Sequence, residues 1–340
     1  MSSPDNKNAH AAGFWPVLAA FSGNLFVCLA KFFGFLVSGS GALFSEAIHS
    51  LADTANQSLL LIGVQRSVKE PNKLFPFGYG RERFIFALIS ACGIFFIGCG
   101  ITVYHGLVSL SHPNPIHFKS VAIYILIVAL AVESSTLWLA IRDVRRRFSR
   151  KKLKRIINEA DPTTLAVIYE DGLAVVGVLV ALASIVLAYL TGQVYWDAIG
   201  SIIIGLLLGI AAIILINKNR SYLITRSIPK DLEDKIIELI ERDPLVEKVL
   251  EFKSAILDVD KYMIKCDLEF NASALVKELA DHNFLADEYE ELKLNYQNFL
   301  KFCVEYADRI PRMVGKKIDS LEKKIRQVVP QAIFIDIEIN

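Results

Sequence analysis

The sequence predicts an all-α transmembrane bundle of six helices followed by a small cytoplasmic α+β domain. Three observations lead there. Six apolar stretches are each long enough to cross the roughly 30 Å of bilayer hydrocarbon, which takes about 20 helical residues. Positive charges gather in alternate loops. From about residue 220 the composition becomes charged and amphipathic, with no further spanning stretch. With 53% apolar residues and a mean hydropathy of +0.41 over 340 residues, a bilayer is the expected solvent for much of the chain.

A polar tail, 1–12, is expected in the cytoplasm; it carries no cleavable signal or transit character. The transport domain is placed at 13–220, with spans near 13–37, 41–65, 84–110, 118–142, 163–190 and 196–217. Cores such as IFALISACGIFFIGCGITVY lack the strict alternation of barrel strands, so helices are the spanning form. The loop after the second span carries Arg66, Lys69, Lys73, Arg81 and Arg83, and the loop after the fourth carries nine basic residues from Arg142 to Arg155. The turns at 38–40 and 191–195 carry none. Both termini are therefore expected in the cytoplasm, with a bacterial inner membrane as the expected host.

In 221–340, DLEDKIIELIER has helical spacing, VEKVLEFKSAIL and KYMIKCDLEFN alternate like strands around a DVDK turn, and IDSLEKKIRQVV then AIFIDIEIN read as a helix and a last strand. That order makes an α+β domain. The stretch 283–310 reads as an inserted helical segment.

A net charge of +1 argues against nucleic acid as a partner. Cys28, Cys92, Cys99, Cys266 and Cys303 form no CxxC pair and are expected as reduced thiols.

Strongly polar side chains at membrane depth are costly, which makes them functional candidates. Glu46, His49, Asp53 and Asn56 follow i, i+3, i+7 and i+10, one stripe of the second helix. His49 and Asp53 are one turn apart, so an imidazole and a carboxylate can close on one metal ion; the plainer alternative is a buried hydrogen bond that packs helices. In the fifth helix, Glu170 and Asp171 lie at similar depth, about 100° apart around the axis. One is expected as a metal ligand and the other in support. Close carboxylates cannot all ionise cheaply without a cation, so a departing metal should be replaced by a proton. Asn24 and Glu133 also point inward. Lys31 and Glu133 are expected to form a structural ion pair, Cys92 and Cys99 to be packing residues, and His105, His112 and His117 to lie at the surface of the external loop.

These residues match a family. SGSGALFSEAIHSLADTANQSLLLIG resembles the second helix of the cation diffusion facilitators, in which a His-x-x-x-Asp pair supplies half of a tetrahedral transport site; His49 and Asp53 fall on those positions. PFGYGRERFIFALI and YWDAIGSIIIGLLL, with Asp197 and Ser201, resemble the openings of its third and sixth helices. VESSTLWLA, with Glu133, and IYEDGLAVVGV, with Glu170 and Asp171, look like the branch that includes the mitochondrial zinc exporter. The resemblance implies a metal/proton antiporter with a metallochaperone-like (ferredoxin-like) C-terminal domain, a homodimer in the membrane, and no cofactor besides the transported divalent ion, zinc first and manganese, iron or cobalt as alternatives. Asp171 takes the second ligand position of the fifth helix, and Val167 falls on the first, where it cannot bind metal. Glu170, with Glu133, Glu46 or Asn24 in support, is the expected replacement.

Two other classes remain for comparison: a non-transporting membrane scaffold of the same fold, and an intramembrane hydrolase. The chain has no HExxH, GxSxG or GxxxxGK[ST], so an enzyme is not expected.

Overall fold

The computed structural model describes residues 5–112, 120–147, 162–271 and 295–339, with 273–274, 289 and 292–293; side chains at 5–20, 143–144, 147, 162–167 and 169 lie outside the description. The chain forms two compact units, Met1–Val68 with Glu82–Arg220, and Lys69–Arg81 with Ser221–Asn340. Residues 69–81, which fall inside the sequence-derived transport domain, thus pack in the second unit.

The first unit is helical: α1 (Asp5–Ser38), α2 (Gly41–Ser67), α3 (Glu82–Ser111), α4 (Ser120–Arg147), α5 (Pro162–Thr191) and α6 (Tyr195–Leu223). All but α2 are long and apolar enough to cross a membrane by length and composition. α2 has the length, but its polar stripe lowers its hydropathy. That stripe faces inward: Glu46, His49, Ser50, Thr54 and Asn56 are buried, while Leu51, Ile62 and Val64 are exposed. A helix in water does the reverse, so this polarity marks α2 as a sixth spanning helix with lipid as its outer solvent.

Two glycines with φ of 70° and 67°, Gly39 and Gly192, make the tight turns from α1 to α2 and from α5 to α6. A side chain with a Cβ would be strained there. α1 packs on α2 and α4, α2 on α3 and α5, and α4 on α5. The core between them mixes small and large residues: Ala42, Ala122, Ala129 and Ala181 with Leu43, Leu126, Val178, Ile185 and Ile204. Without a hydrophobic force between helices in lipid, close backbone approach through small residues supplies the packing. α3 and α6 meet the same way, with Gly106 against Ile202, Gly205 against Val103, and Gly209 against Cys99. α3 contains a π-helical stretch, Ile94–Cys99, bracketed by Gly93 and Gly100, which the apolar pattern alone did not reveal.

The second unit is α7 (Lys230–Glu241), β1 (Val246–Asp258), β2 (Lys261–Phe270), α8 (Tyr296–Val328) and β3 (Ala332–Ile339). β2 is central, antiparallel to β1 and parallel to β3. The parallel pairing needs a crossover, and α8 provides it. Ile264, Cys266 and Leu268, alternate residues of β2, are buried beneath Ile236 and Ile240 of α7 and Leu321 and Ile325 of α8. Phe77 of the 69–81 segment stacks edge-on against Phe334, with centroids 5.2 Å apart.

The α-β-β-α-β order is present. From residue 296 onward the described part of the 283–310 segment is helical, as expected, and forms the first half of α8, a single helix of 33 residues. Its apolar spacing, Phe299, Phe302, Tyr306, Ile310, Val314, continues through Pro311 on one face, and Asn295 caps its start by accepting from the Asn298 N–H at 2.9 Å.

Candidate metal site

α2 is held at its start by a residue from another helix. Asp197, at the beginning of α6, accepts hydrogen bonds from the Ser40 hydroxyl (2.5 Å) and from the backbone N–H groups of Gly41 (2.5 Å) and Ala42 (3.3 Å). The Ser40 oxygen in turn accepts from the Leu43 N–H at 3.2 Å. A carboxylate at the positive end of the helix satisfies N–H groups that have no partner within it. This fixes the height of every side chain along α2, His49 among them.

Two turns further on, His49 Nε2 and Asp53 Oδ2 are 3.1 Å apart, with side-chain exposures of 7% and 31%. The atoms joined are the ones a metal would bind, and the half-exposed carboxylate leaves a way in. α5 packs on α2 and brings Glu170 and Asp171 to the same region: the Asp53 charge acts on both, and the His49 ring and Lys218 ammonium also act on Glu170. All four expected ligands therefore lie within electrostatic reach. Among the described residues no three of His, Cys, Asp or Glu are close enough to hold one ion; the structure joins His49 to Asp53 and does not bring Glu170 and Asp171 into one ligand shell with them. The Val167 side chain lies outside the described residues.

The supporting candidates divide. Asn56 is buried on α2 and Asn24 half-buried on α1. Glu46 and Glu133 are both paired with Lys31, whose ammonium lies 2.7 Å from Glu46 Oε2 and 2.6 Å from Glu133 Oε1. The expected Lys31–Glu133 pair is present and has a third member, which the α2 stripe had suggested only as a metal ligand. Cys99 lies against Gly209 and Cys28 Sγ donates to the Ala47 carbonyl at 3.6 Å, both packing contacts. His105 is a correction. Instead of the surface, it occupies the interior side of α3, with its ring 4.6 Å from that of Phe44 and its Nδ1 buried. His112 is exposed, and His117 lies outside the described residues.

Comparison with known proteins places the helical unit: the cation efflux transmembrane domain matches residues 17–224. This chain belongs to the cation efflux family. Along 329 residues, 95% of its length, it is 34% identical to the mitochondrial proton-coupled zinc antiporter SLC30A9 of Homo sapiens, and it covers 58% of that protein. Over 330 residues, 93% of the chain, it is 33% identical to metal tolerance protein C4 of Arabidopsis thaliana, covering 71% of it. The manganese efflux system protein MneP of Bacillus subtilis is 25% identical over 238 residues, 68% of the chain and 75% of its own length. The chain thus spans somewhat over half the length of its human relative. As a cation efflux family member it is a multipass integral membrane protein, and the family is one of transporters, not enzymes.

Proposed function

We propose that the chain is a secondary transporter that binds a divalent metal, zinc first, between α2 and α5 and exchanges it for protons across the membrane. The reading is carried by one observation: an imidazole–carboxylate pair on α2, its imidazole buried, on a helix that packs against α5, which carries Glu170 and Asp171. His49, Asp53 and Asp171 are the ligands, and Glu170 stands in for the group that Val167 lacks. An imidazole with oxygen donors accommodates zinc and also harder ions such as manganese. The relatives' names point the same way, toward zinc in one case and manganese in another.

Proton exchange follows from charge. Three carboxylates at membrane depth hold their charges only with a cation among them, and protons occupy the same oxygens when the ion leaves. The charge bias of the loops supports cytoplasmic termini, and with them export as the direction of transport. A homodimer is included by family likeness.

The full chain, reconstituted in vesicles with a zinc-sensitive dye inside, should take up zinc faster when the interior is acidic. Asp53→Ala and Asp171→Ala should each weaken zinc binding at least roughly 100-fold, more than the loss of a residue that only supports a ligand. Zinc binding with no flux under any gradient identifies a scaffold and overturns the proposal. Glu170→Ala with undiminished affinity removes Glu170 from the ligand set.

A further inference from the structure

The Lys31–Glu46–Glu133 group is not accounted for by the transport site. Lys31 (α1) and Glu46 (α2) have no exposed side-chain surface, and Glu133 (α4) has 14%. One ammonium serves two carboxylates, each through one oxygen. The other oxygens, Glu46 Oε1 and Glu133 Oε2, are buried with no hydrogen-bond partner among the described residues. Glu46 Oε1 faces Gly177 of α5, where a Cβ would collide with it. Buried carboxylate oxygens are nearly always partnered; a pair serving packing alone would be expected to satisfy them. Here an incompletely satisfied two-carboxylate cradle is filled by a cation that the chain itself provides and that cannot leave.

Glu46 lies one turn from His49 on the same stripe, so their Cβ atoms are about 5–6 Å apart. An unengaged carboxylate there would be drawn to a bound divalent ion. Added oxygen donors favour hard ions that take many oxygens, such as manganese, over zinc with its few nitrogen and oxygen ligands.

We propose that Lys31 is a tethered counter-cation that withholds Glu46 and Glu133 from the transported metal, confining the site to one ion held by an imidazole and the carboxylates of Asp53 and α5. This rests on the transport reading above and adds a specificity-determining residue to it. Lys31 touches no metal; it acts by holding one oxygen of each carboxylate and neutralising one of their two charges.

The test is isothermal titration of the full chain in detergent with zinc chloride and, separately, manganese chloride. Wild type is titrated first: absence of any zinc binding overturns the transport reading, and this proposal with it. With wild-type binding established, Lys31→Gln should raise the manganese-to-zinc affinity ratio by roughly tenfold or more, or add a second manganese equivalent. Lys31→Gln/Glu133→Gln keeps the group's net charge at the wild-type value, so it guards against misfolding from unbalanced charge, and it should shift the ratio in the same direction through the freed Glu46. Lys31→Arg should restore the wild-type ratio. A merely structural Lys31 would lower the melting temperature and leave the ratio unchanged. An unchanged ratio and stoichiometry in the folded double variant overturns the proposal. Glu46→Gln gives an independent check on the native site: a 100-fold loss of zinc affinity would make Glu46 a ligand and overturn the proposal as well.

Discussion

Asp197→Ala tests how α2, the helix that carries the metal pair, is held in place. The substitution removes an acceptor 3% exposed and leaves the N–H groups of Gly41 and Ala42 without a partner in apolar surroundings. Each buried, unpaired donor costs about 1–3 kcal/mol. Loss of a negative charge at the helix N-terminus adds about 0.3–1 kcal/mol. Relief of the buried carboxylate's own desolvation offsets part of this, for a net loss of about 3 kcal/mol. At about 2–4 °C per kcal/mol for a unit of this size, the melting temperature should fall by roughly 6–12 °C. Asp197→Asn, which keeps one carbonyl oxygen, should lose about half as much. Tryptophan fluorescence of the full chain in detergent during heating reads the shift. A melting temperature for Asp197→Ala within about 2 °C of wild type would refute the reasoning, because an unpaired helix start cannot be that cheap.

Other consequences follow from the packing and charge. Gly177→Ala places a methyl on Glu46 Oε1, whose partner oxygen is pinned by Lys31; it should destabilise the protein by about 1–3 kcal/mol, and the effect should diminish in a Glu46→Ala background, measured by thermal unfolding of the double-mutant set. In the second unit, burial alone pushes the Asp243 carboxyl up, but hydrogen bonds from Lys317 and Lys324 and from the Leu245 N–H outweigh it and hold the group below the usual carboxylate range. A lowered folded value means stability that is present above the unfolded pKa of about 3.9 and lost as pH falls through the folded one. Asp243→Asn should thus cost about 1 kcal/mol at neutral pH, and the gap from wild type should close in melts below about pH 4; a gap independent of pH contradicts the ion pairs. Burial, followed by the charges of Asp267, Asp336 and Glu322, pushes the Cys266 thiol up to about 12. Iodoacetamide at mildly alkaline pH should modify exposed Cys303 and spare Cys266 until the protein is denatured, as read by peptide mass spectrometry; early labelling of Cys266 would contradict its burial.

The helices were legible because the bilayer imposes a long, simple signal: about 20 apolar residues for each span. α2 was legible for the opposite reason. Glu46, His49, Asp53 and Asn56 are too costly to face lipid, and their spacing puts them on one side, so inward orientation followed from the sequence. The π-stretch in α3 left no such mark, since one turn of widened helix leaves the apolar composition unchanged. In α8, the stretch up to residue 310 read as a segment apart from IDSLEKKIRQVV, whereas the apolar face of the helix runs unbroken through both.

What the sequence determined by itself is the solvent of each segment and the inventory of costly polar groups, because burial energy depends on local composition and on a period of 3.6 residues. What the tertiary structure alone decided is which polar groups answer one another. The Lys31–Glu133 pair was expected from the cost of an unpaired charge in lipid, but Glu46 joins Lys31 from 15 residues away only in the fold, and Asp197 reaches Gly41 from 156 residues away. No local pattern encodes such pairings; they arise when separate helices are packed side by side and each buried charge must find a partner in space.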